Sequence, residues 1–179
     1  MSVIEKRYAQ ALLDIAVQNG MIELYVSDLN AAVSAYSENP ELQSYLLNPG
    51  VTADNKLAAL NNIFAGKLNQ EILNLLKLLV EKGRIKCLPA IFKEFADIAD
   101  EKRNILHMTI ISPFPLDELQ VKRLTEKYRN LHGSASVKTE FRLDKSLLGG
   151  IKVVIGDKVI DGTTAGKLKA LKDVLVEKM

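Results

Sequence analysis

LDKSLLGGIKVVIGDKVIDGTTAGKLKAL, running from Leu143 to Leu171, is the stretch from which the rest of the chain is best read. Ile151 to Ile155 is apolar except for Lys152, and Lys158-Val159-Ile160 follows after Gly156-Asp157. Two β-branched runs separated by two residues, glycine first, predict a hairpin closed by a tight type II′ turn. Asp161-Gly162-Thr163-Thr164 ends the second strand, and a threonine N-cap opens a helix striped by Leu168, Leu171, Val174 and Leu175. Gly149-Gly150 marks a bulge or tight entry into the first strand. The segment reads as a hairpin feeding a final helix that packs back on it.

Upstream of it, Val137, Thr139, Phe141 and Leu143 alternate with Lys138, Glu140 and Arg142, the pattern of a half-buried strand. Leu116 to Leu131 places Val121, Leu124, Tyr128 and Leu131 on one helical stripe and closes at Gly133. Ile105 to Ser112 is rich in β-branched residues and bounded by Pro113 and Pro115, which predicts another strand. The order from Ile105 onward is therefore β-α-β-β-β-α.

Before Asn104 the period is helical throughout. Ser2-Val3-Ile4-Glu5 is a capping box for a helix with Ile4, Tyr8, Ala11, Leu12 and Ile15 on one face, stopped by Asn19-Gly20. A second helix runs from about Met21 to Ser37, and Asn39-Pro40 caps and opens a short third one. Thr52 caps the fourth, which stops at Gly66, and Asn69 caps the fifth, which stops at Gly83. The sixth begins near Leu88-Pro89 with Ile91, Phe92, Phe95, Ile98 and Ala99. The expected fold is a six-helix all-α bundle over residues 1–104, then a small α+β domain over residues 105–179.

Composition narrows the function classes. Hydrophobic residues make up 47% and charged residues 26% of 179, which fits a globular chain able to bury a core. The net charge of +2 is too small to suggest nucleic-acid binding. It is unevenly spread: Met1 to Asn104 holds 11 Lys/Arg against 13 Asp/Glu, and Ile105 to Met179 holds 13 against 9. A mildly basic second domain suits an acidic protein partner. Cys87 is the only cysteine, so no intrachain disulfide exists and a reducing compartment is expected. No apolar run reaches the length of a membrane span, and the N-terminus is neither a signal peptide nor a transit peptide. Any membrane connection is expected to run through partners.

The chemistry-bearing motifs all have structural explanations. Gly162-Thr163-Thr164-Ala165-Gly166-Lys167 has three residues between its glycines where a phosphate loop needs four, and Leu168 fills the magnesium-binding position. His107 and His132 lack further donors at ligand spacing. Cys87 beside Leu88-Pro89 reads as a packing residue, and Asp157 and Asp161 as turn residues. No catalytic, cofactor-binding or metal-ligating residue and no small-molecule substrate is expected.

The double glycine, the short apolar strand, Gly-Asp-Lys-Val-Ile-Asp-Gly and the following Lys-Leu resemble the C-terminal signature of the delta subunit of F-type ATP synthases, the family of the mitochondrial oligomycin-sensitivity-conferring protein. Thr163, Thr164 and Ala165 stand where that family usually carries a Ser and a basic residue. Arg7-Tyr8-Ala9-Gln10-Ala11-Leu12 is similar to the family's opening helix, and Glu81-Lys82-Gly83-Arg84 with Leu88-Pro89 to its join between helices five and six. The resemblance covers both domains in order. It implies a non-catalytic stator subunit on the cytoplasmic face of a bacterial cell membrane. That subunit links the catalytic head to the b subunits of the peripheral stalk, so that proton-driven rotation is coupled to ATP synthesis.

Helix one is small and apolar over several turns, and helix five is apolar almost all round, so one or both are central or offer a face to a partner. The resemblance implies the second: a groove between them that receives the amphipathic N-terminal helix of the alpha subunit. The residues expected to form it are Tyr8, Ala11, Leu12 and Ile15, with Leu75, Leu78 and Leu79 opposite. For the b subunits the expected contacts are Gly149, Gly150, Ile151 and Val153. The alternative from composition alone is an RNA-binding helical-bundle regulator, which salt-sensitive RNA retention discriminates.

Overall fold

The computed structural model describes residues 3–156 and 158–168. Its helices are α1 (Val3–Gln18), α2 (Ile22–Glu38), α3 (Pro40–Leu47), α4 (Ala53–Phe64), α5 (Gln70–Glu81), α6 (Leu88–Lys102) and α7 (Glu118–His132), with a 3-10 turn at Ile85–Cys87. The strands are β1 (Ile105–Ser112), β2 (Ser136–Leu143), β3 (Lys152–Ile155) and β4 (Lys158–Asp161). The chain divides into two units, Met1–Ala99 and Asp100–Met179.

Two helices of the first unit, α4 and α5, start where side chains satisfy free backbone N–H groups. Thr52 Oγ1 accepts from the Asn55 amide at 3.4 Å to open α4. Asn69 Oδ1 accepts from Glu71 at 2.9 Å to open α5, while its own amide donates to Asp28 of α2 at 2.6 Å. Asn39 departs from expectation: it precedes α3, but its Nδ2 donates to the Ala35 carbonyl at 2.8 Å, so the side chain closes α2 instead. The capping box at Ser2 lies outside the described residues. The core joins Leu12, Leu13 and Ala16 of α1 with Tyr25 and Leu29 of α2, Ile72 and Leu76 of α5, and Ile91 and Phe95 of α6. Cys87 packs partly buried against it.

Gly83 ends α5 in a way that matters for the site. Its amide donates to Val80 at 3.0 Å and that of Arg84 to Leu79 at 2.7 Å, the paired bonds of a Schellman stop. The stop needs a left-handed residue, and Gly83 has φ +65. The chain therefore reverses at once, Ile85 is buried, and Arg84 is carried back toward α1.

In the second unit the sheet order is β2-β1-β3-β4. β1 and β2 are parallel and joined through α7, while β3 pairs antiparallel with both β1 and β4. Met108, Ile110, Val153 and Ile155 of the sheet pack with Tyr128 of α7. α7 starts at Glu118 and not at Leu116, because Asp117 and Gln120 form a reciprocal capping box. Ile155 pairs with Lys158 across a two-residue connection whose Gly156 has φ +54. Its other residue, Asp157, on which the type of turn depends, is outside the described residues. Residues 164–168 begin the final helix, with Thr163 Oγ1 accepting from Gly166 at 3.0 Å. Of its expected stripe, Leu171, Val174 and Leu175 lie outside the described residues.

The second unit begins at Asp100, earlier than the change of period at Ile105, and one carboxylate accounts for this. Asp100 is 2% exposed, and its Oδ2 meets Lys138 Nζ at 2.5 Å and His107 Nε2 at 2.7 Å. Arg103 Nη1 lies 3.7 Å from the other oxygen. Asn104, at φ +56, accepts from the Ala135 amide and donates to the Gly133 carbonyl. The last turn of α6 is thereby fastened to β1 and β2.

Candidate docking groove

α1 and α5 lie antiparallel along a cavity of about 350 Å³ lined by Tyr8, Ala11, Leu12, Ile15, Glu71, Asn74, Leu75 and Leu78. The direction follows from its two ends. Tyr8, early in α1, receives a hydrogen bond from Arg84 Nη1 at 3.2 Å just past the end of α5. Asn19, just past the end of α1, donates to the Tyr25 hydroxyl at 2.9 Å, and that hydroxyl also bonds Glu71 in the first turn of α5. Burial pushes the Tyr25 hydroxyl above its ordinary pKa; the Asn19 hydrogen bond opposes this and the Glu71 carboxylate adds to it. It remains a protonated donor to that carboxylate.

The cavity brings together six of the seven side chains expected in the groove. Ile15 and Leu78 stand at 38% exposure each, large apolar groups that the bundle leaves uncovered. Ala11 is exposed on the cavity lining, and its small methyl leaves room for a guest helix to approach closely. Leu79 is the correction: it is 0% exposed and belongs to the core, because one residue along a helix turns a side chain by about 100°, away from the groove. Glu71, Asn74 and Arg84 are additions that the sequence reading does not contain. The first two share a face with Leu75 and Leu78 at spacings of three and four, a signal the stripe of apolar residues hides. Arg84 depends on a contact 76 residues away, for which the sequence carries no local sign.

The residues expected to meet a stalk divide differently. Val153 is 1% exposed, facing Met108 and Ile110 in the second core, since alternation along β3 turns Val153 and Ile155 inward; a surface contact there is corrected. Gly149 and Gly150 close a turn. The Gly149 carbonyl accepts from Thr164 at 3.1 Å and the Ile151 carbonyl from Gly162 at 2.9 Å. A Cβ on Gly150, at φ +81, would stand 2.4 Å from the Gly162 oxygen. Ile151 lines a cavity of about 290 Å³ with Leu116, Gln120, Arg123 and Leu124. Next to the double glycine, Leu148 is 88% exposed. A larger cavity of about 580 Å³ runs between α7 and β2, with Phe141 among its walls and Glu118, Lys122, Glu126 and Arg129 around it.

Among the described residues no three His, Cys, Asp or Glu side chains gather to hold a metal ion, and no helix is long and apolar enough to cross a membrane. His107 is engaged by Asp100.

The family model "ATP synthase delta (OSCP) subunit" matches residues 4–175. The ATP synthase subunit delta of Acetivibrio thermocellus is 39% identical over 178 residues, covering 99% of this chain and all of the relative. That of Ruminiclostridium cellulolyticum is 36% identical over 175 residues, 98% of this chain and 99% of the relative. That of Bacillus cytotoxicus is 34% identical, covering 98% and 97%. Among solved structures, a chain of the Toxoplasma gondii mitochondrial ATP synthase hexamer superposes with a TM-score of 0.71 over 98% of each chain, at 22% identity.

Proposed function

The chain belongs to the ATP synthase delta (OSCP) family, a peripheral-stalk component of F-type ATP synthase, and from this we propose that it is a non-catalytic connector. In this reading the first unit holds the amphipathic N-terminal helix of the catalytic head's alpha subunit in the α1–α5 groove. The second unit holds the ends of the peripheral-stalk b subunits. In a bacterial cell the protein then sits on the cytoplasmic face of the membrane, attached through the complex. The RNA-binding alternative draws no support from these relatives.

The mechanism is mechanical. A turning central shaft drives catalysis only if the head does not turn with it, so the connector must resist torque without letting go. An apolar helix-in-groove interface meets that demand. Each fully buried Leu- or Ile-sized anchor contributes about 1.5–3 kcal/mol, and differences in affinity appear mostly in slow dissociation. The single observation that carries the reading is the uncovered apolar cavity between α1 and α5, with Ile15 and Leu78 on its walls.

Ala11→Trp tests it by filling the floor without touching the core. In a calorimetric titration with the alpha subunit's N-terminal peptide, affinity is expected to fall at least about tenfold, a loss of about 1.4 kcal/mol, with the helical circular dichroism unchanged. Unchanged affinity counts against the groove. For the stalk we place the contact around Gly149, Gly150 and Ile151, with exposed Leu148 as its apolar anchor. Crosslinks that carry the b subunits only to residues before Asp100 overturn that placement.

A further inference from the structure

We propose that the groove reads the direction of its guest helix, through one fixed positive charge at one end and one fixed negative charge at the other. The inference rests on the α1–α5 cavity being a helix-binding groove and adds what kind of helix fits it. Arg84 is placed at the Tyr8 end by the Schellman stop at Gly83 and held there by its hydrogen bond to the Tyr8 hydroxyl. Glu71 lines the opposite end and is held by Tyr25, whose hydroxyl has already accepted from Asn19 and so has its proton to give. Each charge is thus steered by a tyrosine, one from α1 and one from α2. Between them the walls are apolar apart from Asn74.

Glu71 and Lys82, the residue that closes α5 two before Arg84, are eleven residues apart, about 16.5 Å along the axis at 1.5 Å per residue. Side chains at i and i+11 of a guest helix, about three turns apart, lie on one face at the same separation. The fitting guest is an amphipathic helix with a carboxylate and a base at i and i+11, and apolar side chains at i+4 and i+7 between them. Its carboxylate goes to Arg84 and its base to Glu71. A guest with the acid first lies parallel to α1, and this order also agrees with its own helix dipole.

The test uses the full-length ¹⁵N-labelled chain and two synthetic amphipathic peptides with identical apolar positions, one with Glu at i and Lys at i+11, the other reversed. Each carries a nitroxide at its N-terminus. The Glu-first peptide is expected to broaden amide signals around Tyr8, the Lys-first peptide those around Ile15. Arg84→Glu with Glu71→Lys is expected to exchange the two patterns. Tyr8→Phe, which removes only the hydroxyl that steers Arg84, is expected to mix them. Against a Gln/Gln control the charged peptides bind about threefold tighter at low salt. Both peptides entering in one direction, or patterns indifferent to the charge exchange, overturns the proposal and leaves the groove standing. Peptides that do not bind at all overturn the groove itself.

Discussion

The groove between α1 and α5 and the turn that joins Gly149 to Thr164 treat their surfaces in opposite ways. In the groove, side chains large enough to pack are left partly uncovered, so the surface is incomplete by itself. In the turn, two backbone segments approach until a single Cβ would collide, and their amides and carbonyls pair with each other. The turn carries the most recognisable residues in the chain, yet their pattern is explained by closing a backbone. The groove carries unremarkable alanines and leucines, yet it is where a partner has something to gain. A signature and a binding surface are therefore separate questions, and exposure of apolar side chains decides the second.

The sharpest way to break this contrast is Gly150→Ala. The added Cβ meets the Gly162 oxygen at 2.4 Å and the residue must hold φ +81, so strain of about 1–3 kcal/mol and overpacking of about 1–3 kcal/mol act together. Urea denaturation followed on the second unit is expected to show a large loss of stability; an unchanged midpoint means the turn is looser than its contacts require.

Leu79→Ala against Leu78→Ala tests the other side of the contrast with neighbouring residues of the same type. Leu79 is enclosed, so its truncation is expected to cost about 2–5 kcal/mol of stability. Leu78 is partly exposed, so stability is expected to change little while peptide affinity falls. If the two substitutions behave alike in both measurements, burial does not separate core from groove here.

The smallest effect belongs to Asp161, whose carboxylate is held below the usual carboxylate range first by the Thr163 side chain and then by the Thr163 amide, which donates to it at 2.9 Å. Because the folded-state value is the depressed one, its contribution is present above the unfolded carboxylate value and disappears as pH falls through the folded one. A carbon-detected NMR titration is expected to find the Asp161 midpoint below that of an ordinary aspartate, and Asp161→Asn to flatten this part of the acid limb.

Most of the architecture is legible in the sequence because helices and strands announce their ends chemically. Thr52 and Asn69 do open α4 and α5, Gly83 does stop α5, and β-branched residues bounded by prolines locate β1 to within its observed limits. Asn39 misleads because an amide side chain can serve either the helix before it or the one after. The box of Asp117 and Gln120 is hidden behind the prolines, which draw the expected start of α7 two residues early. At the site, periodicity gives the face of a helix and not its depth. It therefore groups Leu79 with Leu78, and it cannot see Arg84 brought to Tyr8 by folding.

Asp100 has a practical consequence for anyone dissecting the chain. A fragment beginning at Ile105, where the period changes, leaves Lys138 and His107 without the acid that gathers them, on the open flank of a two-strand parallel pair. A fragment beginning a turn of helix before Asp100 carries its own fastener. The cut that keeps this cluster of charges whole falls inside α6, not at the end of it.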